Sequence, residues 1–441
     1  LSASQVLHEQ YWKRTKGSVR TSMEQSLLLM DRYGLHPEMG HKEVGGIKAK
    51  LDDSGNLTHI MEQLEIDWRF SDSLQTADNE IFVRELIEDQ FRHYGLEVLF
   101  KAKPIEGVAG NGEHTHLGAA VKLKSGKKVN LFAPKDPRKY YLSELGYGSL
   151  MGLLKNYEVI NPIVAATNDA FNRLKPGFEA PVCIVTSLGG TKEAPSRNRS
   201  VLIGVIRDID NPDAVRFELR SPNPYSNTYL VLAASYQAML DGIKNVIEAM
   251  LSCDDLEKEI SKKYGEDAVY LEKYREYRSE EDVFEKYSRE ERNNLYGRAP
   301  ETVWENLIEL SSNKLKQQVL KSGDVFTDEL INSFRESTLQ KWENELSGRI
   351  IHDKIKLLKT FVRLHNEHDH STDLDVVNWE KIIYLKTELM KDSMIKKCIF
   401  TKIKTALSKG DYAEASDLQK QMNEKITEIR KLYIEYKNNI F

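Results

Sequence analysis

Residues 62–70 read EQLEIDWRF. Side chains along a strand point alternately to opposite faces. Leu64, Ile66, Trp68 and Phe70 therefore share one face, and Gln63, Glu65, Asp67 and Arg69 the other. The pattern returns at 215–220, VRFELR, where Phe217 and Leu219 oppose Arg216, Glu218 and Arg220. At 110–116, GNGEHTH, it puts His114 and His116 on one face. A sheet with one solvated side gives such strands; so does a cavity lined by charged groups. Helices are interleaved with them. The segment 21–34 repeats apolar residues at Met23, Leu27 and Met30, with Thr21 or Ser22 as cap and Gly34 as stop. The segment 77–96 points Ile81, Leu86, Ile87 and Phe91 inward and ends near Gly95. DDSGN at 52–56 signals a hairpin turn. Strands alternating with helices predict an α+β or α/β layer fold.

The chain has 441 residues, enough for two or three domains. Its net charge of -5 gives no electrostatic case for nucleic acid as partner. No apolar run approaches the roughly 20 residues of a membrane span, and the start carries no secretory signal pattern. Cys183, Cys253 and Cys398 are far apart and odd in number, which favours reduced thiols and a cytoplasmic location over a disulfide framework. Eleven of the twelve prolines precede residue 250, after which Glu, Lys, Leu and Ile dominate. This shift predicts a mixed domain over 1–250 followed by a helical remainder. A packed bundle is the plain reading of those helices, a partner-binding coiled coil the alternative.

Chemistry-bearing residues concentrate in the first part. HKEVGG (41–46) offers Glu43 before a glycine pair, RLKPGFEAP (173–181) places Arg173 and Glu179 around a Pro-Gly turn, and SRNRS (196–200) adds Arg197 and Arg199. Arginine recognises carboxylate and phosphate bidentately. Several carboxylates with one or two imidazoles suit Mg²⁺ or Mn²⁺ better than Zn²⁺, since the set is hard and contains no thiolate. Together they describe a phosphoryl-transfer site, although neither a Walker A sequence nor a kinase glycine loop is present.

HKEVGG…QLEIDWRF, KPIEGVAGNGEHTHL, NRLKPGFEAP, RNRS and VRFELRSPNPYSNTYLVLAASYQAMLDGI occur in the order and near-spacing of glutamine synthetase, and the resemblance spans about residues 10–245. It implies an α+β catalytic domain whose antiparallel strands line an active-site funnel with helices behind, followed by an all-α C-terminal region. In that region the resemblance implies that 251–345 completes the catalytic part and that 346–441 is an extension beyond the family's usual ending. It implies ATP-dependent phosphorylation of the γ-carboxylate of glutamate, then displacement of phosphate by ammonia. By the same resemblance Glu43 and Glu65 hold a first divalent metal, and His114 and Glu218 a second, Mg²⁺ or Mn²⁺. His116 contacts ATP phosphate, Arg216 binds nucleotide and Phe70 stacks on adenine, which requires the strand to end before it. Gly110, Arg173 and Arg220 hold the substrate, Arg199 stabilises the transferred phosphoryl group, and Glu179 closes over the site and helps deprotonate ammonium. NNLYGRAPETVWENL resembles the segment around a loop tyrosine, here Tyr296, that some bacterial members modify. Partners implied are glutamate, ammonia and ATP, with a homo-oligomeric ring.

Ala109 stands where the family usually has Asn, and Gly204 where it has an arginine five residues after Arg199, with Arg207 as a possible substitute. These departures and two apparent insertions keep open a γ-glutamyl ligase using another amine. A catalytically silent paralogue acting in assembly or regulation is a third reading. The chain opens on Leu1 in a helix-like stretch, as part of a longer polypeptide would. The resemblance places an N-terminal domain and a Glu-x-Glu strand, with one ligand for each metal, before it. On that reading these residues alone form little γ-glutamyl hydroxamate from glutamate, hydroxylamine and ATP; robust turnover would overturn it.

Overall fold

The computed structural model describes residues 17–44, 49–51, 57–60, 62–105, 109–175, 181–365 and 372–440. The chain divides into two compact units, Leu1–Ala299 with Lys314–Val325, and Pro300–Asn313 with Phe326–Phe441. The first unit runs past the composition shift at residue 250. Helices after 250 still bury against the mixed part, which composition alone does not reveal.

In the first unit, α1 (Gly17–Arg32) starts before the expected caps. Thr21 and Ser22 lie inside it and donate back to the carbonyls of Gly17 and Ser18 at 3.3 and 2.8 Å, as hydroxyls within helices do. Gly34 follows the helix at φ 77°, a left-handed conformation that glycine adopts without strain. β1 (Pro37–Val44) leads to a hairpin of β2 (Ala49–Leu51) and β3 (Leu57–Ile60), and β4 (Gln63–Trp68) returns antiparallel along β1. The expected turn at 52–56 lies outside the described residues, but the strands flanking it pair as a hairpin.

α2 (Ser73–His93) is capped by Asp72, whose carboxylate accepts from the Gln75 amide at 3.1 Å. Val83, Ile87 and Phe91 of this helix form a core with Val19, Met23, Met30 and Leu35. Leu64, Ile66 and Trp68 pack against it, so the apolar face of β4 covers this layer. Ile81, expected inward, is 42% exposed, and Glu80 takes the inward position. The buried stripe runs through 80, 83, 87 and 91, spacings of three and four that leave residue 81 to the side.

Next come β5 (Thr115–Leu117), a hairpin of β6 (Ala120–Lys122) and β7 (Lys128–Asn130), α3 (Glu144–Val164), α4 (Asn168–Arg173), β8 (Thr186–Ser187), β9 (Ile203–Ile206) and β10 (Arg216–Leu219). The larger sheet has the order β5-β10-β9-β8, antiparallel except for the parallel pair β8–β9. On its inner face the Phe217 ring stacks on Phe132, centroids 4.6 Å apart, both fully buried. α5 (Thr228–Ala249) packs along α3, and α6 (Cys253–Ile260) against α3 as well. The α3–α5 approach is made possible by glycines. A Cβ at Gly152 would collide with the Ala238 carbonyl oxygen, and one at Gly242 with that of Gly148.

α7 (Val283–Lys286) and α8 (Arg289–Tyr296) follow. Tyr296 is the last residue of α8, fully buried among Cys183, Val185, Val201 and Val283. Its carbonyl accepts from Arg275 Nε at 2.9 Å. It is thus a core tyrosine in this conformation rather than a loop tyrosine open to modification. α9 (Val303–Ser312) belongs to the second unit, and α10 (Lys314–Lys321) returns to the first. The Lys316 ammonium there meets Glu158 and Glu272, each at 2.5 Å.

The second unit is all helical. α11 (Asp328–Asn344) runs through a π-helical turn at Glu345–Ile350 into α12 (Ile351–Thr360), followed by α13 (Asp373–Met390), α14 (Ile399–Ser408) and α15 (Tyr412–Ile440). Along α15, Ala415, Met422, Ile429 and Tyr436 recur every seven residues and are fully buried, so its stripe packs within the unit as an ordinary bundle. Among the described residues no helix is long and apolar enough to cross a membrane. All three cysteines are buried free thiols.

The α3–α5 crossing yields a direct test. Gly242→Ala is expected to cost about 1–3 kcal/mol or more, since backbone must move to admit the methyl. Gly118→Ala, with open space around it, is expected to be near neutral. Equal denaturant midpoints for the two variants would refute the close-contact argument.

Candidate active site

β1 and β4 bring the first group together. Their register sets His41 opposite Glu65, and Glu43, two residues from His41, shares its face. His41 Nε2 lies 3.3 Å from Glu43 Oε2 and 3.7 Å from Glu65 Oε2. One ligand atom from each of the three falls within 4.8 Å of the others. A single cation with bonds of about 2.0–2.6 Å spans such a set. Burial and the neighbouring Glu43 push the Glu65 carboxyl above its usual range, with Asp67 adding to this and His41 and His114 opposing it.

The second group stands on β5 and β10, which pair with His116 opposite Glu218. His114 Nδ1 donates to Glu218 Oε1 at 2.9 Å, and Arg220 Nη1 lies 3.5 Å from the same oxygen. Burial disfavours the charged Glu218, but the His114 hydrogen bond, Arg220 and His116 outweigh it and hold the carboxyl at about 2. Arg216 Nε donates to His116 Nδ1 at 2.9 Å. Burial and Arg216 both lower the basicity of His116, so the ring is neutral and carries its proton on Nε2.

β4 links the two groups. The electrostatic reach of Glu65 includes His114, and that of Asp67 includes both Glu65 and His116. Gln63 Nε2 donates to the Gly110 carbonyl at 3.0 Å and to Asn111 Oδ1 at 2.9 Å. The polar face of β4 thus runs beside the 110–116 loop. His41, Asp67 and Gln63 escaped the motif reading. Only their position, two residues from Glu43 or Glu65 on the same strand face, marked them.

Arg173 is almost fully buried at the end of α4. Nη1 donates to the Ser221 and Pro222 carbonyls at 2.8 and 3.3 Å, and Nη2 to that of Arg220 at 3.0 Å. A Cβ at Gly112 would stand 2.5 Å from its Nη2, and one at Gly110 would strike the Ala102 carbonyl. Both glycines are therefore required by close approach. The amide of Asn111 is occupied too: Nδ2 donates to the carbonyls of Leu99 and Lys101 at 3.0 and 2.8 Å. It leaves no free amide to stand in for the one absent at Ala109.

A Cβ at Gly204 would lie 2.9 Å from Glu218 Oε2, so this position does face the second group. Arg207 does not fill it. Its guanidinium donates to the Lys192 carbonyl and lies over the Tyr141 ring, 4.8 Å from the centroid. Arg199 is exposed in the loop before β9, where Asn198 anchors the chain to the Glu281 carbonyl at 2.7 Å. Phe70 lies past the end of β4 and is 85% exposed, as an adenine contact would need. Glu179 lies outside the described residues.

A family model described as the glutamine synthetase catalytic domain matches residues 18–269. The glutamine synthetase of Pyrococcus horikoshii is 34% identical over 238 residues, 54% of this chain and 46% of that one. That of Escherichia coli K12 is 31% identical over 312 residues, 70% of this chain and 52% of that one. The chain spans about half the length of these curated relatives. Among solved structures, Plasmodium falciparum glutamine synthetase superposes with a TM-score of 0.54 at 20% identity, covering 82% of this chain and 64% of that one. The ADP complex of GmaS gives 0.52 at 21%, covering 77% and 64%. At these identities the two structures support the fold alone.

One wall of the site holds an acid pair. Glu113, beside His114, is buried, and its carboxyl is pushed well up by burial and then by Glu80, with Thr228 and Arg84 opposing. Burial raises Glu80 to about 7 against the pull of Arg84. The folded state then binds more protons than the unfolded chain between about pH 4.5 and 7, so stability falls as pH rises through that window. Glu80→Gln removes this loss. Its melting temperature is expected to exceed wild type by several degrees at pH 8 and to converge with it near pH 4.5; coincident melting at pH 8 would contradict the assignment.

Proposed function

Taking as premise that the chain belongs to the glutamine synthetase family, we propose that it carries the ATP-dependent ligation of ammonia to the γ-carboxylate of L-glutamate. The observation that supports this reading most is the meeting of two ligand groups, Glu43 with Glu65 and His114 with Glu218, along the polar face of β4. The groups fit divalent cations: the first is a compact cluster with excess negative charge, the second a carboxylate kept ionised. Bound there, Mg²⁺ or Mn²⁺ would neutralise the charge of ATP phosphates.

The remaining chemistry belongs to the chain's own residues. A γ-carboxylate oxygen of glutamate attacks the terminal phosphorus of ATP, releasing ADP and leaving γ-glutamyl phosphate. Ammonia then attacks the acyl carbon, and phosphate departs as glutamine forms. His116, held by Arg216 with its proton on Nε2, donates to a phosphate oxygen. Arg220 receives a substrate carboxylate, and Arg173 positions it by gripping the backbone at 220–222. The backbone at Gly110 borders the bound amino acid. Arg199 offers positive charge to the phosphoryl group in transfer. Glu179 takes the proton that ammonium must lose. Phe70 offers its exposed ring to adenine. We place this activity in the cytoplasm and in a homo-oligomeric ring.

A second reading rests on Ala109. With the Asn111 amide fully engaged, recognition of the amino acid differs from the family pattern, and an amine other than ammonia becomes a substrate to test. The silent-paralogue reading is opposed by the retained set of Glu43, Glu65, His114, Glu218, Arg199 and Glu179.

Ligand-dependent melting separates these readings. Mg-ATP is expected to raise the melting temperature, at 100 times its dissociation constant by the equivalent of about 2.7 kcal/mol. Methionine sulfoximine is expected to raise it further. No shift with Mg-ATP would favour the silent paralogue, and a turnover screen over ammonia and alkylamines decides the amine.

A further inference from the structure

We propose that the first cation site is a mixed nitrogen and oxygen site, in which His41 Nε2 is a direct ligand beside Glu43 and Glu65. The inference rests on the proposed function in taking Glu43 and Glu65 to hold a cation. It goes beyond that reading in ligand set and in metal preference.

The geometry of the β1–β4 pair carries it. His41 is fixed opposite Glu65 by register, and its ring is the most enclosed of the three, 19% exposed against 37% for Glu43 and 54% for Glu65. It forms the floor of the cluster and the carboxylates its rim. Nε2 faces both acids, at 3.3 and 3.7 Å. One N–H serves a single acceptor well, whereas a lone pair on that nitrogen can share a cation with both carboxylates. The three ligand atoms lie within 4.8 Å of one another, close enough for one ion.

The nitrogen changes what the site selects. Mg²⁺ prefers an all-oxygen octahedron and keeps its waters, while imidazole favours transition dications. The site is therefore expected to take Mn²⁺ or Co²⁺ ahead of Mg²⁺. This preference is legible only in the structure, because the motif around Glu43 reads as carboxylate alone.

Manganese alone is the probe, used with the full chain. Loss of the free Mn²⁺ resonance reports binding, and pulsed electron paramagnetic resonance reports nitrogen bonded to the ion. In His114→Ala, which removes the imidazole proposed to ligate a cation in the second group, nitrogen coupling from a directly bonded ring is expected to persist. Adding His41→Gln should abolish it. In the wild-type chain Mn²⁺ should resist displacement by Mg²⁺, and His41→Gln, which preserves a polar side chain there, should narrow that preference by about tenfold. Absence of nitrogen coupling in His114→Ala, or its persistence in the double variant, would remove His41 from the ligand set while leaving the cation site standing. Equal wild-type affinity for the two metals would do the same without any variant. If the wild-type chain binds no Mn²⁺ at all, the cation-binding reading itself falls, and this inference with it.

Discussion

The buried guanidinium of Arg173 is the constraint on which the site's geometry depends. Its donors close on three consecutive carbonyls just beyond β10, those of Arg220, Ser221 and Pro222. Burial, with Arg220 nearby, lowers its pKa to about 10, so it remains charged at neutral pH. A buried cation without partners would be costly, and these carbonyls are its compensation. The arrangement ties α4 to the end of β10 and leaves room for the 110–112 loop only if glycine occupies positions 110 and 112. Tyr157 braces the same segment, donating to Ser221 Oγ at 2.6 Å.

Around this clamp the carboxylates sort into two electrostatic kinds. Glu218 sits among His114, Arg220 and His116 and remains ionised to low pH. Glu65 shares its surroundings with Glu43 and Asp67, and the imidazoles of His41 and His114 compensate them only in part. One group is neutralised within the fold, whereas the other holds charge that a bound cation would relieve. That asymmetry follows from strand order, since basic residues accompany Glu218 on β10 and acidic ones accompany Glu65 on β4.

Much of this was legible because strand alternation reports side-chain direction directly. The polar faces of residues 63–67 and 216–220 follow from it, whereas the association of His114 with Glu218 was implied by the family resemblance alone. Phe70 required β4 to end before it, and β4 ends at Trp68. What escaped depends on contacts between distant segments. His41 acquires meaning only through its register with Glu65. The inward position of Glu80 and its pairing with Glu113 need the docking of α2 on the site loop. Arg173 resembles a substrate arginine in sequence, and its grip on backbone carbonyls is visible only in three dimensions. Arg207 is withdrawn by Tyr141, and Tyr296 by a core that draws in Cys183, Val185 and Val201, all more than ninety positions away.

The discontinuous second unit has a consequence for how the chain is made. The Thr302 and Ser416 hydroxyls hydrogen-bond at 2.7 Å across 114 residues, and Lys420 meets Glu305 at 2.6 Å. α9 is therefore synthesised long before the helix that covers it. At about 5–20 residues per second, its apolar face waits roughly 6–23 s before the contacting part of α15 is made. Nascent chains of this length expose Val303, Leu307 and Leu310 without their final cover, which makes that interval a natural window for chaperone engagement.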